Sequence, residues 1–346
     1  MKRVTGLVFL IIFYIQLFGQ SATTYDKDIL LEFYQSQRYA DAANYLQSVY
    51  GENISDVKIL NQIAYCYMMS GKLPEAEKNY LKVIDQQPNS LPVLFSLANI
   101  NFRRGNNLKA ATYYKKIVEL DSRNFNAYKQ LAGIINNEVD SQKVAYLLKA
   151  NTINPDDADV AYDLAISYKK LKKYELGYRV LHTAFLADTG NLVLQQAILP
   201  IAIQLKRYRE VIAIGEKLLT YGIDANVIKD VGMAHYYLKN YEKAIKFFKT
   251  LETVNAQNET SLYFTSLSYR NLNNLKQAVD YAKKTIQEGI SPYTSSYYLL
   301  LGGIYEVGNQ QLSAVAAYKK GLTYNTNSTL YYRLGLLYDL KFNQKK

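Results

Sequence analysis

Look-alike segments recur about every 34 residues from about Thr23 to the end of the chain, and this period constrains the fold more than any other feature. Ala64, Tyr67, Gly71, Ala76, Tyr80 and Pro88 step by 34 onto Ala98, Asn101, Gly105, Ala110, Tyr114 and Ser122, four of them matching in kind. Ala165, Tyr168, Tyr174 and Gly177 fall in the same relative places, as do Gly232, Tyr241, Ala244 and Phe248, then Gly302, Tyr305, Ala314 and Tyr318. A fixed period of this length marks a solenoid, in which each unit buries its apolar face only against its neighbours. Such a scaffold offers an extended binding surface and does not by itself imply chemistry.

Each unit reads as two short helices. Leu60, Ile63, Ala64 and Tyr67 recur at three- and four-residue steps and make one apolar stripe. Gly71-Lys72-Leu73-Pro74 then breaks the chain, and Pro74 suits the first turn of the next helix, where a missing N–H costs nothing. Ala76, Tyr80, Val83 and Ile84 form the second stripe, which Gln87-Pro88-Asn89 ends. Small residues at the eighth and twentieth places let two helices approach, and an aromatic at the eleventh or twenty-fourth fills the gap. Period-two alternation is nowhere sustained, so strands are not expected.

This layout resembles the tetratricopeptide repeat, with Leu-Gly, Tyr, Ala and an aromatic at set offsets. Tyr298, Leu301, Gly302, Tyr305, Ala314 and Tyr318 match it, as do Leu334, Gly335 and Tyr338. The resemblance implies an all-α α-solenoid of about nine helix-turn-helix repeats. Their starts lie near Thr23, Val57, Leu91, Phe125, Ala158, Leu192, Ala225, Glu259 and Ser295, and a capping helix covers about Ser328 to Phe342. Three departures stand out. The chain has no Trp, so Leu, Ile or Tyr fills the large first position. The fourth unit is a residue short, with Asn136-Asn137-Glu138-Val139-Asp140 in place of the usual Gly turn. The sixth unit carries Pro200 inside its first helix and Gly215 where an aromatic belongs. An interior proline costs about 3 kcal/mol, so a kink or break of the array is expected there.

Residues 1–22 form a separate object. Lys2-Arg3 precede an apolar run from Val4 to Phe18, followed by the small residues Gly19, Ser21 and Ala22. This is the make-up of a secretory signal peptide. The run is short of the roughly 20 residues a spanning helix needs. The expected protein is therefore periplasmic or secreted, with the repeat array over 23–346; an uncleaved N-terminal membrane anchor is the alternative. The style of the signal and the plain repeat array point to a bacterial envelope.

Charge and reactive residues narrow the function classes. The formal net charge of +11 would suggest nucleic acid in a cytosolic protein. Outside the cytosol the expected acidic partners are proteins, anionic lipid or polysaccharide, and no nucleic acid is expected. Lys pairs such as Lys115-Lys116, Lys169-Lys170 and Lys283-Lys284 read as a solvated outer face. The lone Cys66, between Tyr65 and Tyr67, reads as a small buried hydrophobe. His182 and His235 lie in different units, and His235 stands where other units place Tyr, so a packed core histidine is expected. No phosphate-cradling loop, zinc spacing or nucleophile elbow occurs, so no catalytic residue, cofactor or metal is assigned and no enzyme is expected.

The family resemblance implies a concave surface lined by the second, fifth, sixth, ninth, twelfth and thirteenth residues of each unit. On this sequence the partner-binding candidates are Phe95, Asn99, Phe102, Arg103, Lys129, Tyr162, Lys229, Tyr236, Tyr263 and Arg270. Tyr65, Gln130, Asp163, Lys169, Asp230 and Phe264 map to the same surface. Mixed aromatic and polar lining suits extended peptides. The family's carboxylate clamp wants Lys and Asn four apart in one first helix. Lys129 is followed by Gly133 and Asn99 is preceded by Phe95, so the clamp is not reproduced. Of the 34 tyrosines many sit at core repeat positions, and the rest would leave an amphipathic groove. The expected function is a protein–protein interaction scaffold of the envelope, peripherally associated with it, that binds a protein or peptide in the groove. The alternative is a carbohydrate- or peptidoglycan-facing module that stacks Tyr on sugar rings.

Overall fold

The computed structural model describes residues 24–343, so the signal-peptide reading of residues 1–22 lies outside the described residues. Contacts divide the chain into two compact units, Met1–Ile153 and Asn154–Lys346. Among the described residues there are nineteen helices and no strand. The first unit holds α1 (Lys27–Gln35), α2 (Tyr39–Tyr50), α3 (Val57–Met69), α4 (Leu73–Gln86), α5 (Leu91–Arg103), α6 (Asn107–Leu120), α7 (Phe125–Ile134) and α8 (Ser141–Ile153). The second unit opens with α9 (Ala158–Lys170), α10 (Tyr174–Ala187), α11 (Leu192–Gln204), α12 (Tyr208–Leu219), α13 (Ala225–Tyr237) and α14 (Tyr241–Thr253). It continues with α15 (Glu259–Asn271), α16 (Leu275–Gln287), α17 (Thr294–Val307), α18 (Gln311–Leu322) and the terminal α19 (Ser328–Asn343). Odd-numbered helices are the first of each pair, and those after α1 begin within one residue of the places the period marks.

Local chemistry sets these boundaries. Asp26, Asp56, Asn124, Asp157, Asn191, Asp224 and Asn258 sit just ahead of first helices and accept hydrogen bonds from backbone N–H groups of the first turn. The turn within each pair recurs with one geometry. Gln37, Gly71, Gly105, Lys172, Lys206, Lys239, Asn273 and Asn309, each fifteenth in its unit, all have φ between 55° and 80°. The next N–H closes the helix end: Asn106 donates to the Asn101 carbonyl at 2.8 Å, Lys173 to Tyr168 at 2.8 Å and Asn240 to His235 at 2.9 Å. The turn therefore demands a left-handed residue rather than a glycine as such. The short fourth pair lacks this turn. There α7 stops at Ile134, and the buried Lys143 reaches back to donate to the Ile135 carbonyl at 3.0 Å.

The core follows the small–large rule of the sequence. Leu60, Ile63, Ala64, Ala76 and Val83 are fully buried in the first unit, as are Ile198, Ile201 and Ala202 in the second. Each such Leu, Ile or Val contributes about 1.5–3 kcal/mol relative to exposure. A Cβ on Gly302 would lie 2.1 Å from Cε1 of Tyr318, so the glycine is what admits the ring. In the sixth pair the sizes are exchanged: the eighth place is the buried Leu199, and a Cβ on Gly215 would lie 2.2 Å from Cγ2 of Val231 in the next pair. Gly215 thus makes room for a neighbour rather than leaving a defect.

Pro200, where a kink or a break is expected, does not break its helix. Helix α11 runs through it without interruption, and the chain divides between Ile153 and Asn154 instead. Tyr hydroxyls tie elements together, Tyr67 donating to Gln47 at 2.8 Å and Tyr178 to Glu210 at 2.6 Å. In the first unit the buried Glu77 receives Asn101 at 3.1 Å and pairs with Arg104 and Lys109. Burial pulls the Glu77 carboxyl up, but the hydrogen bonds from Lys109 and Asn101 and the two nearby charges hold it below its ordinary value.

Candidate functional site

The predicted residues separate into three groups. In the first unit the ring of Phe95 stands edge-on to Tyr114 at 6.0 Å, and Asn99 accepts from the Tyr114 hydroxyl at 2.6 Å. Both residues are thereby committed to seating α6 against α5. Arg103 lies exposed in the last turn of α5, Phe102 is exposed beside it, and the Lys129 ammonium sits 5.8 Å from the centre of the Phe125 ring.

In the second unit Tyr236 and Tyr263 gather about Phe264, and the charge of Arg270 bears on both tyrosines. Tyr236 and Tyr263 stand edge-on to Phe264 at 5.0 and 5.6 Å, and Tyr237 joins at 5.7 Å while stacking on Tyr208 at 4.9 Å. Burial pushes the hydroxyls of Tyr236 and Tyr263 up, and the charge of Arg270 opposes it. These rings spend their faces and edges on one another. They form a rigid, half-buried aromatic seam along first helices, not a row of free stacking platforms.

Tyr162 and Lys229 belong to the third group, which has the geometry of a site. First helices α9, α11 and α13 touch in succession and enclose a cavity of about 350 Å³. Tyr162, Ile166 and Lys169 line it from α9, Val193, Gln196, Ala197, Leu199 and Pro200 from α11, and Asn226, Val227, Lys229 and Asp230 from α13, with the capping Asp224. Pro200 lacks an N–H, so the helix loses the donor that would otherwise hold the Gln196 carbonyl. Both residues line the cavity. A neighbouring cavity of about 360 Å³ shares Tyr162 and Val193 and adds Asp159, Asp163 and Asn191. Half-exposed Tyr162 stands where the two meet.

Asp230 is the unusual group. Its residue is only 6 % exposed, and the Lys229 ammonium makes a long ion-pair contact with its carboxylate at 3.7 Å while donating to the Asn226 side-chain oxygen at 3.3 Å. Burial pushes the Asp230 carboxyl up to about 6; Lys229 and Lys169 oppose this, and Asp224 adds to it. A buried carboxylate normally gathers several donors, and this one faces a cavity instead. The sequence pattern placed Asp230 on the groove but gave no sign of its burial.

The remaining polar candidates are structural. His235 is buried, stacks on Phe247 at 5.4 Å and lies 3.7 Å from Glu216, and burial lowers its pKa. Cys66 is buried with its sulfur 3.5 Å from the Tyr34 hydroxyl, and burial raises the thiol. Among the described residues no three His, Cys, Asp or Glu side chains are placed to hold a metal, and no helix is long and apolar enough to cross a membrane.

Two tetratricopeptide-repeat family models match, over residues 33–100 and 230–258. No curated protein matches. Similar solved structures include a tetratricopeptide repeat protein from Parabacteroides merdae ATCC 43184, 16% identical, covering 81% of this chain and 98% of its own with a TM-score of 0.40. The Cut9–Hcn1 hetero-tetramer of the APC/C is 13% identical, covering 90% of this chain and 76% of that one at a TM-score of 0.48. Yeast Tom70 is 13% identical over 92% of this chain and 95% of its own at 0.43.

Proposed function

We propose that this chain, which carries tetratricopeptide repeats over residues 33–100 and 230–258, is an exported interaction scaffold that holds an extended segment of a partner protein along the first helices of its second unit. One observation carries this reading: three consecutive first helices leave a cavity with donors, acceptors and an exposed ring at its edge, and a second cavity continues from it across Tyr162. Two adjoining cavities that share one aromatic suit successive side chains of an extended chain, whose backbone lies over Tyr162. The aromatic seam around Phe264 prolongs the same face with contact area at low entropy cost. The carbohydrate reading has less support, because the seam rings pack on each other and leave few faces for a sugar.

Export to a bacterial envelope belongs to the same proposal and rests on the sequence of residues 1–22. Its test is the mature N-terminus. A product starting between about Gln20 and Thr23 in the envelope fraction supports it, and retention of a tag placed ahead of Lys2 in the membrane fraction replaces it with an anchored protein. The groove is tested with a photo-crosslinking residue at Tyr162 and, as a control, at Lys283, which is exposed on second helix α16. Crosslinks to one defined protein from Tyr162 and not from Lys283 support the proposal; the reverse pattern moves the partner off the groove.

A further inference from the structure

We infer that the cavity between α9, α11 and α13 receives a primary amide, the side chain of an Asn or Gln in an extended peptide, with its NH2 donating to Asp230 and its oxygen accepting from Lys229 and Lys169. This rests on the groove reading above and gives it a ligand chemistry.

Asp230 is nine-tenths buried, borders the cavity and is met by a single long ion-pair contact, from Lys229 at 3.7 Å, which leaves its carboxylate with acceptor capacity to spare. Lys229 and Lys169 border the same cavity with three ammonium donors each, of which Lys229 gives one to the Asn226 side-chain oxygen at 3.3 Å and keeps others to offer. An incoming group must therefore supply donors to the first and an acceptor to the second. A carboxylate would answer the lysines and set a second negative charge against a buried one. An ammonium would answer Asp230 and face two lysines. A neutral amide answers both and leaves no like charges opposed. Tyr162, Val193 and Pro200 supply the apolar wall for the methylenes behind such a headgroup.

The charges bearing on Asp230 are Lys229 from its own helix, Lys169 from α9 and the capping Asp224, while the α11 wall brings Gln196 and apolar residues only. A donated hydrogen bond favours the ionised carboxylate, so binding lowers the Asp230 pKa and releases a proton. Affinity is then highest above pH 6 and falls as the pH drops through it.

The chain contains no Trp, so a Trp-bearing peptide excited to the red of the absorption of its 34 tyrosines reports the probe alone. Four acetylated, amidated pentapeptides, Trp-Ala-Xaa-Ala-Ala with Xaa as Gln, Glu, Met or Lys, are titrated by fluorescence anisotropy against the full chain. The Gln peptide is expected to bind about tenfold more tightly than its near-isosteres Glu and Met. It should weaken about tenfold between pH 7.5 and pH 5. Asp230→Asn should abolish that pH dependence, with helicity by circular dichroism unchanged, and Lys229→Met should weaken the Gln peptide. A Glu peptide that binds as tightly, or that tightens toward acid, overturns the inference in favour of a carboxylate site. Equal binding by all four leaves the groove reading standing and removes the amide. Binding by none removes both.

Discussion

Gly302→Ala and Gly335→Ala make the same change at the same repeat position and should act with opposite sign. A Cβ at Gly302 would lie 2.1, 2.4 and 2.7 Å from three ring atoms of Tyr318, where carbon atoms rest at about 3.5–4.0 Å. The ring cannot yield cheaply: Tyr318 is fully buried, and its hydroxyl is bound by Glu306. Helices α17 and α18 must therefore separate by more than an ångström. Overpacking of this kind costs about 1–3 kcal/mol, and the upper end applies here. Replacing a helical glycine by alanine returns about 1 kcal/mol of propensity, so the net loss is about 2 kcal/mol. At Gly335 nothing lies within 4 Å of the added Cβ, so only the propensity term remains and α19 gains up to about 1 kcal/mol. Repeat arrays unfold by nearest neighbours, so hydrogen exchange read separately on α17, α18 and α19 is the suitable assay. Protection should drop in α17–α18 for the first variant and rise in α19 for the second. Gly302→Ala combined with Tyr318→Leu should cost less than the sum of the singles. Equal tolerance of both glycine changes, or strict additivity in the double variant, refutes the ring-in-slot account.

Other outcomes follow from the same geometry. Glu77→Gln should destabilise the first unit by about 2 kcal/mol, since Arg104 and Lys109 lose their partner but remain accessible enough to turn toward solvent. Because the Glu77 carboxyl is held below its ordinary value, its stabilisation is present above the unfolded pKa and is lost as pH falls through the folded one; urea denaturation from neutral to acid pH should show a drop that Glu77→Gln lacks. Lys172→Gly, Lys206→Gly and Lys239→Gly, all at φ near 60°, should each raise the urea midpoint modestly. Relief of about 1–2 kcal/mol of left-handed strain is there partly offset by about 0.5–1 kcal/mol of added chain entropy.

How far the sequence foretells this molecule depends on what repeats. Helix starts such as Val57, Leu91, Ala158 and Ala225 were legible because every unit must bury the same stripe against its neighbours, so the period survives substitution. The left-handed turn was legible at Gly71 and Gly105 and hidden at Lys172, Lys206 and Lys239, where context imposes a conformation that composition does not advertise. Pro200 misled because propensity treats a helix alone; here α11 lies in the largest buried cluster, and its neighbours' packing outweighs one lost hydrogen bond. Repeat position put Tyr162 and Lys229 on the face of first helices that lines the cavity. Asn99 had the right position and a different task, holding the Tyr114 hydroxyl. The Glu77 network joins different pairs through Glu77, Arg104 and Lys109, which lie outside the repeat signature, and its one trace in the period is Asn101 standing where Tyr67 stands a unit earlier.

Asp230 offers a separate test of whether its cavity is a site or an accident of packing. Its carboxyl is raised from 3.8 to about 6, so the folded chain binds the proton more tightly than the unfolded one. Stability should then fall as pH rises from about 4 to about 6 and stay lower above that window. A shift of about two units corresponds to roughly 3 kcal/mol, an upper figure because side chains and water relax around a buried charge. Asp230→Asn keeps the shape and removes the charge, so it should stabilise the second unit by up to that amount at neutral pH and by little near pH 4. Thermal unfolding of the pair across this range measures it. A buried charge that lowers stability while lining a cavity beside two lysines fits a group that serves binding rather than folding. If Asp230→Asn instead destabilises the chain at neutral pH, the carboxylate is satisfied within the fold and has nothing left to offer a ligand.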